Sequence, residues 1–222
     1  ILYNEPETLI RTELSDASTY FNIMKAIASG HTRPNDIANA CGIRTTSLPY
    51  FLGVLEKDLA LVGREYPITE KKSKKPLYYI RDNFFLFWFK FVFPYQSYLE
   101  IGQNKTVKEI IRLQLNKHIS FAFEEVCRRY LILNNELQLK LGRQWGKYPQ
   151  GVYEIDICGI NDKDILFCEC KWQDGVDAAK IHSELRQKAK YVRWKNLERK
   201  EHFAVFAKSF QRKKVPGIRS YD

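Results

Sequence analysis

Apolar residues recur at helical spacing in three short segments near the start of the chain. These segments cover residues 17–29, 34–40 and 45–60, with apolar side chains three and four positions apart, as on one buried face of a helix. Gly30 and Gly42 follow the first two segments as stop signals. The pattern predicts three helices joined by tight turns, which is a helix-turn-helix arrangement.

Two extended apolar runs follow at residues 59–62 and 77–80, with a lysine-rich tip between them. Two strands joined by a basic loop complete the pattern of a winged helix, in which the third helix enters the major groove of DNA. The side chains expected at DNA are Arg44, Thr45, Thr46, Ser47 and Tyr50 on the third helix, and Lys71, Lys72, Lys74 and Lys75 on the wing. The lysines would meet phosphates and add affinity without sequence information.

Winged helices also serve as protein-docking or purely structural modules, and a lysine-rich wing is then only a solvated loop. Thr45, Thr46 and Ser47 cannot make the bidentate base contacts that arginine, asparagine and glutamine make. We favour DNA contact over protein docking, and non-specific contact over base reading.

An aromatic run occupies residues 84–93. Asp82 or Asn83 can cap a helix at its start, and Pro94 marks its end. Aromatic residues at this density are typical of a buried helix rather than of a base-stacking platform, and we interpret the run as the connection between two domains. Lys90 interrupts it, and neither this run nor any other is long enough to span a bilayer, so no membrane partner is expected.

The second half of the chain contains two apolar, strand-forming runs around the polar turn 161–164, which predicts a β-hairpin. Because side chains alternate along a strand, one face of the first run should carry Tyr153, Ile155 and Ile157, and its other face Glu154, Asp156 and Cys158. On the second run Phe167, Glu169 and Lys171 should share a face. Pairing the strands then brings Asp156, Glu169 and Lys171 together.

Two carboxylates and an ammonium group within apolar strands are costly to bury unless they pair with each other or hold a cation. Mg²⁺ takes oxygen ligands from one or two carboxylates together with phosphate oxygens, and a lysine beside it can orient the attacking water. Two interpretations therefore stand at this point: a metal site for phosphate chemistry, or a structural ion pair.

Further helical and strand patterns surround the hairpin. Residues 106–134 form a long helical pattern in which Glu124 abuts the apolar face, and residues 137–141 alternate as a strand. An amphipathic helix at 178–196 and a strand at 203–207 complete a mixed sheet flanked by helices. The basic residues of that helix would contact a phosphate backbone or form a solvated face; they are Lys180, Arg186, Lys188, Lys190 and Arg193.

Charge and cysteine content narrow the class of function. The 222 residues carry a formal net charge of +10, which suits a polyanionic partner and makes nucleic acid the first candidate, with a merely basic surface as the alternative. The five cysteines are irregularly spaced, and Cys168 and Cys170 lack a second pair. We therefore expect a cytoplasmic protein with neither a disulfide framework nor a zinc site.

The segment Glu-Ile-Asp-Ile, a short turn and Cys-Glu-Cys-Lys-Trp resembles the core of the PD-(D/E)XK nuclease superfamily. The resemblance assigns Asp156 to the strand aspartate, Glu169 and Lys171 to the Glu-X-Lys motif, and Glu124, or alternatively Glu125, to the acid of the preceding helix. It implies hydrolysis of DNA phosphodiester bonds with Mg²⁺ or Mn²⁺. Asp156 and Glu169 would be the metal ligands, Glu124 would complete the acidic set, and Lys171 would position the water.

Several segments between Glu5 and Trp172 carry a second resemblance: Ile-Ala-Ser-Gly ending the first predicted helix, Glu-Tyr-Pro-Ile-Thr, the Phe-Trp-Phe run, Phe-Glu at 123–124, and Cys-Glu-Cys-Lys-Trp. Together they resemble the C-terminal half of the archaeal DEXX-box ATPases. That resemblance implies a winged helix and a restriction-endonuclease-like domain downstream of an ATPase module. The chain begins with Ile and contains no phosphate-binding GxxxxGK loop followed by Ser or Thr, so we expect the ATPase module elsewhere on the polypeptide or on another chain.

These patterns and resemblances predict an α/β (α+β) fold. We expect a winged helix-turn-helix at residues 1–80, an aromatic linker helix at 81–104 and a mixed-sheet PD-(D/E)XK nuclease-like domain at 105–222. The predicted function is a DNA-binding, Mg²⁺-dependent phosphodiesterase module of an archaeal ATPase. The alternative is a catalytically inactive DNA- or protein-binding accessory region, because a fold does not determine a function.

Overall fold

The chain divides into two compact units, each with its own core. The computed structural model describes residues 3–14, 17–70, 76–149, 151–212 and 214–222. The first unit contains residues 1–65 and 75–115, and the second contains residues 66–74 and 116–222. No helix in the described ranges combines the length and the apolar character that crossing a bilayer requires.

The first unit is a winged helix. Its helices are α1 (Glu5–Glu13), α2 (Ala17–Ala28), α3 (Pro34–Cys41) and α4 (Leu48–Gly53), and its antiparallel strands are β1 (Val62–Glu65) and β2 (Leu77–Ile80). α3 ends where Gly42 takes a left-handed conformation with φ of 66°, which residues with a Cβ disfavour. The first two predicted helices and the second strand are confirmed. The first strand begins at Val62 rather than at residue 59, and α1 was not predicted.

The third predicted helix is shorter than residues 45–60. It begins at Leu48 with a proline in its first turn, and residues 45–47 form a turn before it. Proline fits a first turn because the N–H that it lacks has no partner there. Val54–Asp58 then form a π-helical turn. The prediction that Arg44 and the hydroxyl side chains after it lie on this helix is therefore wrong, since they precede it.

The aromatic run belongs to the core of the first unit. It forms α5 (Asn83–Phe87), which a π-helical turn (Trp88–Val92) and a 3₁₀ turn (Phe93–Tyr95) extend to α6 (Gln96–Glu100). Asp82 caps α5, because its Oδ1 accepts hydrogen bonds from the backbone N–H groups of the next helical turn at 2.8 and 3.0 Å. Trp88 and Phe89 are buried against Phe21. The prediction that this run is core is thus confirmed.

The second unit is built on a five-stranded mixed sheet. Its elements are α7 (Asn104–Leu133), of which the part from Asn116 onward belongs to this unit, and β3 (Lys140–Tyr148), β4 (Gly151–Ile160), β5 (Asp164–Lys171), α8 (Ala178–Ala189), β6 (Lys200–Ala207) and β7 (Arg219–Tyr221). The strand order is β3-β4-β5-β6-β7, antiparallel up to β5 and parallel beyond it. One core lies between the sheet and α8, and another between the sheet and α7. The predicted mixed sheet is confirmed.

Two side chains shape the loops of this unit. Asn161 Oδ1 accepts hydrogen bonds from the N–H groups of Lys163 and Asp164 at 2.8 and 2.7 Å, which closes the predicted hairpin turn between β4 and β5. The buried guanidinium of Arg199 donates to backbone carbonyls at and beyond the end of α8, at 2.6 to 3.0 Å. Because these carbonyls are satisfied without further helical turns, α8 ends at Ala189 and not at residue 196 as predicted.

Candidate functional site

Strand β4 contains a β-bulge at Asp156. Between Ile155 and Cys158 the chain advances three positions while β3 advances two, so β4 carries one extra residue. Ile155 and Cys158 therefore both face the core under α8, whereas Ile157 packs in the core against α7. The predicted strict alternation of Tyr153, Ile155 and Ile157 on one face is wrong at Ile157, because the bulge reverses the facing of the residues after it.

The bulge and strand β5 bring the acidic and basic groups of the hairpin together. Asp156 Oδ2 accepts a hydrogen bond of 2.8 Å from the N–H of Cys170, the residue between Glu169 and Lys171. Lys171 Nζ lies 2.8 Å from Glu169 Oε2. All three residues of the predicted hairpin site thus lie within one hydrogen-bonded group.

Glu169 is the most deeply buried charged side chain of this group, with 4% of its surface exposed. Lys188 of α8 forms an ion pair with its Oε1, opposite the Lys171 pair, and also donates to the backbone carbonyl of Glu154 at 2.8 Å. Burial alone would raise the pKa of Glu169, but the attraction of both ammonium groups lowers it. Burial would lower the pKa of Lys171, and the attraction of Glu169 outweighs it. Glu169 is therefore a carboxylate held in its charged form.

The environment of Asp156 differs from that of Glu169, because it raises the pKa of the carboxyl group instead of lowering it. Burial, followed by repulsion from Glu169 and Glu124, raises the pKa of its carboxyl group to about 8, and the hydrogen bond from Cys170 and the attraction of Lys171 offset only part of this. Its hydrogen bond comes from a backbone N–H, whereas Glu169 and Glu124 each form an ion pair with a basic side chain. A cation next to Asp156 would relieve this repulsion.

The third acid of the group comes from α7. Glu124 forms an ion pair with Arg143 of β3, whose guanidinium also lies 4.0 Å from Glu154 Oε1. Burial raises the pKa of Glu124, and Arg143 acts against this shift. Glu125, the alternative helix acid, instead pairs with Arg128 and Arg129 at 3.8 and 3.3 Å. Glu124 is thus the carboxylate of α7 that approaches Asp156.

The oxygen atoms of these carboxylates are ligands of the type that hard divalent cations prefer. Among the described residues, no three His, Cys, Asp or Glu side chains converge closely enough to hold a metal ion as they stand. Mg²⁺ needs only one or two carboxylates, because waters and substrate phosphate oxygens complete its shell. Asp156 and Glu169 are the two carboxylates that would hold such an ion. Burial raises the pKa of the neighbouring Cys168 thiol, which keeps it protonated and unsuited to a softer metal.

Sequence reasoning missed part of this group. The sequence predicted Lys188 only as one of several basic residues of its helix. It did not predict Arg143 or Glu154 as site residues. A signal for Lys188 was present, because it follows the buried Ile181 by seven positions and Leu185 by three, which places it beside the apolar stripe. No comparable signal identified Arg143.

The residues of the predicted third helix that were expected at DNA lie at the surface of the first unit. Arg44 and the three hydroxyl residues after it are exposed in the turn before α4. Tyr50, on α4, is 69% exposed, and its ring contacts Phe51 edge to face at 5.4 Å. The four lysines of the predicted wing, Lys71, Lys72, Lys74 and Lys75, lie outside the described residues.

Comparisons with known proteins find a family model, an archaeal relative and a solved structure to which the chain is similar. Residues 88–186 match the DUF234 model, described as archaeal and bacterial proteins of unknown function. The chain is 35% identical to the uncharacterized protein MJECL04 of Methanocaldococcus jannaschii, over 94% of this chain and 48% of that protein, and so spans about half the length of that relative. A solved structure similar to the chain is Lactococcus lactis ZitR, a zinc-responsive MarR family member, with a TM-score of 0.27 and 16% identity over 55% of this chain and 76% of that one.

Proposed function

We propose that the second unit hydrolyses phosphodiester bonds of DNA with a divalent metal ion, Mg²⁺ or Mn²⁺, held by Asp156 and Glu169. The observation that carries this proposal is the position of Asp156. Its half-buried carboxyl group lies beside two other acids and accepts a backbone hydrogen bond, an arrangement that is unfavourable without a cation. Perturbed carboxyl groups of this kind are typical of sites that bind a metal or move a proton.

Each side chain of the group has a role in this proposal. The metal ion would act as a Lewis acid on the scissile phosphate. Lys171, fixed by its 2.8 Å contact with Glu169, would orient the attacking water and stabilise negative charge that develops on the phosphate. Glu124 would stay paired with Arg143 and supply the outer negative charge that keeps a cation near Asp156.

The first unit would bring DNA to this chemistry. The chain carries a net charge of +10, and Arg44 with the exposed hydroxyl groups at 45–47 suits contact with phosphates. Arg44 is the one cation in that turn, so we expect binding that depends on salt and little on sequence. The resemblance to DEXX-box ATPases, together with the greater length of the archaeal relative, supports an ATPase module as the partner of this chain.

A cleavage assay tests the catalytic proposal. Supercoiled plasmid and single-stranded DNA are incubated with the chain in Mg²⁺, in Mn²⁺ and in EDTA. We expect cleavage only with metal, and a loss of about 100-fold or more in Asp156→Asn and Lys171→Met. Asp162→Asn and Lys163→Met serve as matched controls, because both residues are exposed in the turn of the same hairpin, and these variants should retain activity. Cleavage that survives both site substitutions would contradict the proposal and point to a contaminant.

A second candidate is a DNA- or protein-binding accessory without catalysis. The observation in its favour is that Glu169 and Glu124 are already neutralised by ion pairs with Lys171, Lys188 and Arg143. In this case DNA binding in Mg²⁺ and Mn²⁺ would occur without cleavage, and Asp156→Asn would not change it. A filter-binding measurement on the samples of the cleavage assay separates the two candidates.

A further inference from the structure

Lys188 is a charged residue of the site to which the proposed reaction assigns no role. It projects from α8, with 29% of its side chain exposed, and pairs with the carboxylate oxygen of Glu169 that Lys171 does not contact. Its ammonium group also donates to the carbonyl of Glu154 at 2.8 Å. Lys188 therefore joins α8 to both strands of the hairpin at the carboxylate that would bind metal.

This position makes Lys188 a competitor for the same oxygen atoms. A buried carboxylate with an ammonium group on each oxygen has its charge compensated and its lone pairs partly occupied. A divalent cation that binds between Asp156 and Glu169 must displace one ammonium group or share an oxygen with it at short range. The first option requires a contact to break, and the second brings like charges together.

We propose that Lys188 is an internal counter-ion that competes with the divalent metal for Glu169 and thereby lowers the metal affinity of the site. This inference rests on the proposed metal site at Asp156 and Glu169 and concerns its regulation. The carbonyl of Glu154 gives the ammonium group a second fixed partner, so its charge stays at the site after it leaves Glu169. Metal occupancy is then favoured when another anion, such as a DNA phosphate, takes up the released ammonium group.

Calorimetric titration of Mn²⁺ into the full chain in the absence of DNA tests this inference. The variants are Lys188→Met, which removes the charge at similar length, and Lys188→Gln, which keeps a hydrogen-bond donor without the charge. Lys188→Arg keeps the charge. Lys180→Met is the matched control, because Lys180 is exposed on the same helix and methionine and lysine have similar helix propensities.

The Kd for Mn²⁺ should fall by about tenfold in Lys188→Met and in Lys188→Gln, which corresponds to about 1.4 kcal/mol. Lys188→Arg and Lys180→Met should bind Mn²⁺ with the affinity of the unmodified chain. A purely structural role for Lys188 would lower thermal stability without tightening metal binding, so the unfolding temperature of each metal-free variant is recorded as well.

The possible failures are distinguishable. Equal Kd values for the unmodified chain and Lys188→Met, with binding abolished by Asp156→Asn, would overturn the role of Lys188 and leave the metal site standing. Absence of Mn²⁺ binding in every variant, including Lys188→Met, would overturn the metal site and this inference with it. Tighter binding that also appears in Lys180→Met would assign the effect to net charge, and would contradict a specific role for Lys188.

Discussion

The interiors of the two units are built from different side chains. The core of the winged helix is apolar and rich in aromatic rings, among them Phe21, Trp88 and Phe89. The buried polar side chains of the described residues are Gln144 and Glu169, and both belong to the second unit. Apolar packing dominates the first interior, whereas the second contains charge that packing does not require.

This difference indicates where each unit carries its function. A buried charge reduces stability unless partners compensate it, so its presence in a sheet core calls for a chemical reason. In the first unit the candidate functional groups, such as Arg44 and Tyr50, are exposed, and the core can be optimised for stability alone. In the second unit Asp156 and Glu169 lie where the sheet packs, so stability and activity depend on the same side chains.

The largest effect on stability is expected in the aromatic core. Phe89 is fully buried, with its ring centroid 4.9 Å from that of Trp88 and 5.8 Å from that of Phe21. Phe89→Ala should lower the free energy of unfolding by about 4 kcal/mol, because it removes apolar contacts and leaves a cavity. The measurement is urea unfolding followed by circular dichroism.

Two features of that measurement would sharpen the comparison. Phe84→Ala, at a position 36% exposed in α5, the helix that directly precedes Phe89's helical turn, should cost only about 1 kcal/mol or less. Neither loss should depend on Mg²⁺, because no acidic site is altered. If Mg²⁺ reversed the loss of stability in Phe89→Ala, the stability of the aromatic core would depend on the acidic site, and the two interiors would not be independent.

Asp156→Asn should instead raise the free energy of unfolding. The amide keeps an acceptor for the Cys170 N–H and removes a half-buried charge, so the metal-free variant should be more stable at pH 8 by about 2 kcal/mol, less than the full pKa difference would give because solvent screens part of the charge. The folded pKa of about 8 exceeds the unfolded value of about 3.9. The carboxyl group therefore contributes its full stability below about pH 4 and loses it as the pH rises towards the folded pKa.

Urea unfolding of the unmodified chain and of Asp156→Asn between pH 4 and pH 9 tests whether the variant is the more stable of the two. The difference in stability between Asp156→Asn and the unmodified chain should grow across this range and level off above about pH 8. Mg²⁺ should then stabilise the unmodified chain and leave the variant unchanged, because a ligand that binds only the folded state raises its stability. A variant that is less stable than the unmodified chain at every pH would mean that the charged carboxylate is compensated without metal.

The sequence predicted most of the elements, though not α1, and part of the site. Alternation along β5 places Glu169 beside Lys171 in any register of the hairpin, and the Asn161 turn fixes which residues of β4 face them. The bulge at Asp156 could not be predicted, because Ile157 and Cys158 are both apolar and suit either face of the sheet. In such an apolar run, a bulge does not change the pattern of apolar and polar residues from which a strand is predicted.

The partners of the acids were less accessible to prediction for a different reason. Long basic side chains reach across several residues, so the spacing that places Lys188 beside the apolar stripe of α8 does not identify the acid with which it pairs. The ion pair between Glu124 and Arg143 joins a helix to a strand 19 positions later, and such pairing depends on how α7 packs on the sheet. Local pattern carries no information on that packing.

The smallest predicted effect concerns Gln144, the second buried polar side chain. Its Oε1 accepts hydrogen bonds from Thr69 Oγ1 at 2.9 Å and from Thr69 N at 3.3 Å, and Ile68 N donates to the carbonyl of Arg143 at 2.9 Å. Thr69→Val removes the hydroxyl donor but keeps the backbone contact, so unfolding should become easier by about 1 kcal/mol.

Thr45→Val, at an exposed turn of the first unit, is the matched control for this change and should shift the free energy of unfolding by less than about 0.5 kcal/mol. A double-mutant cycle of Thr69→Val with Gln144→Leu isolates the hydrogen bond, because the hydroxyl has no acceptor in the leucine background. A coupling energy indistinguishable from zero would mean that Gln144 is buried for its packing rather than for its polar contacts. In that case Glu169 would be the buried polar side chain of the described residues that sets the second interior apart from the first.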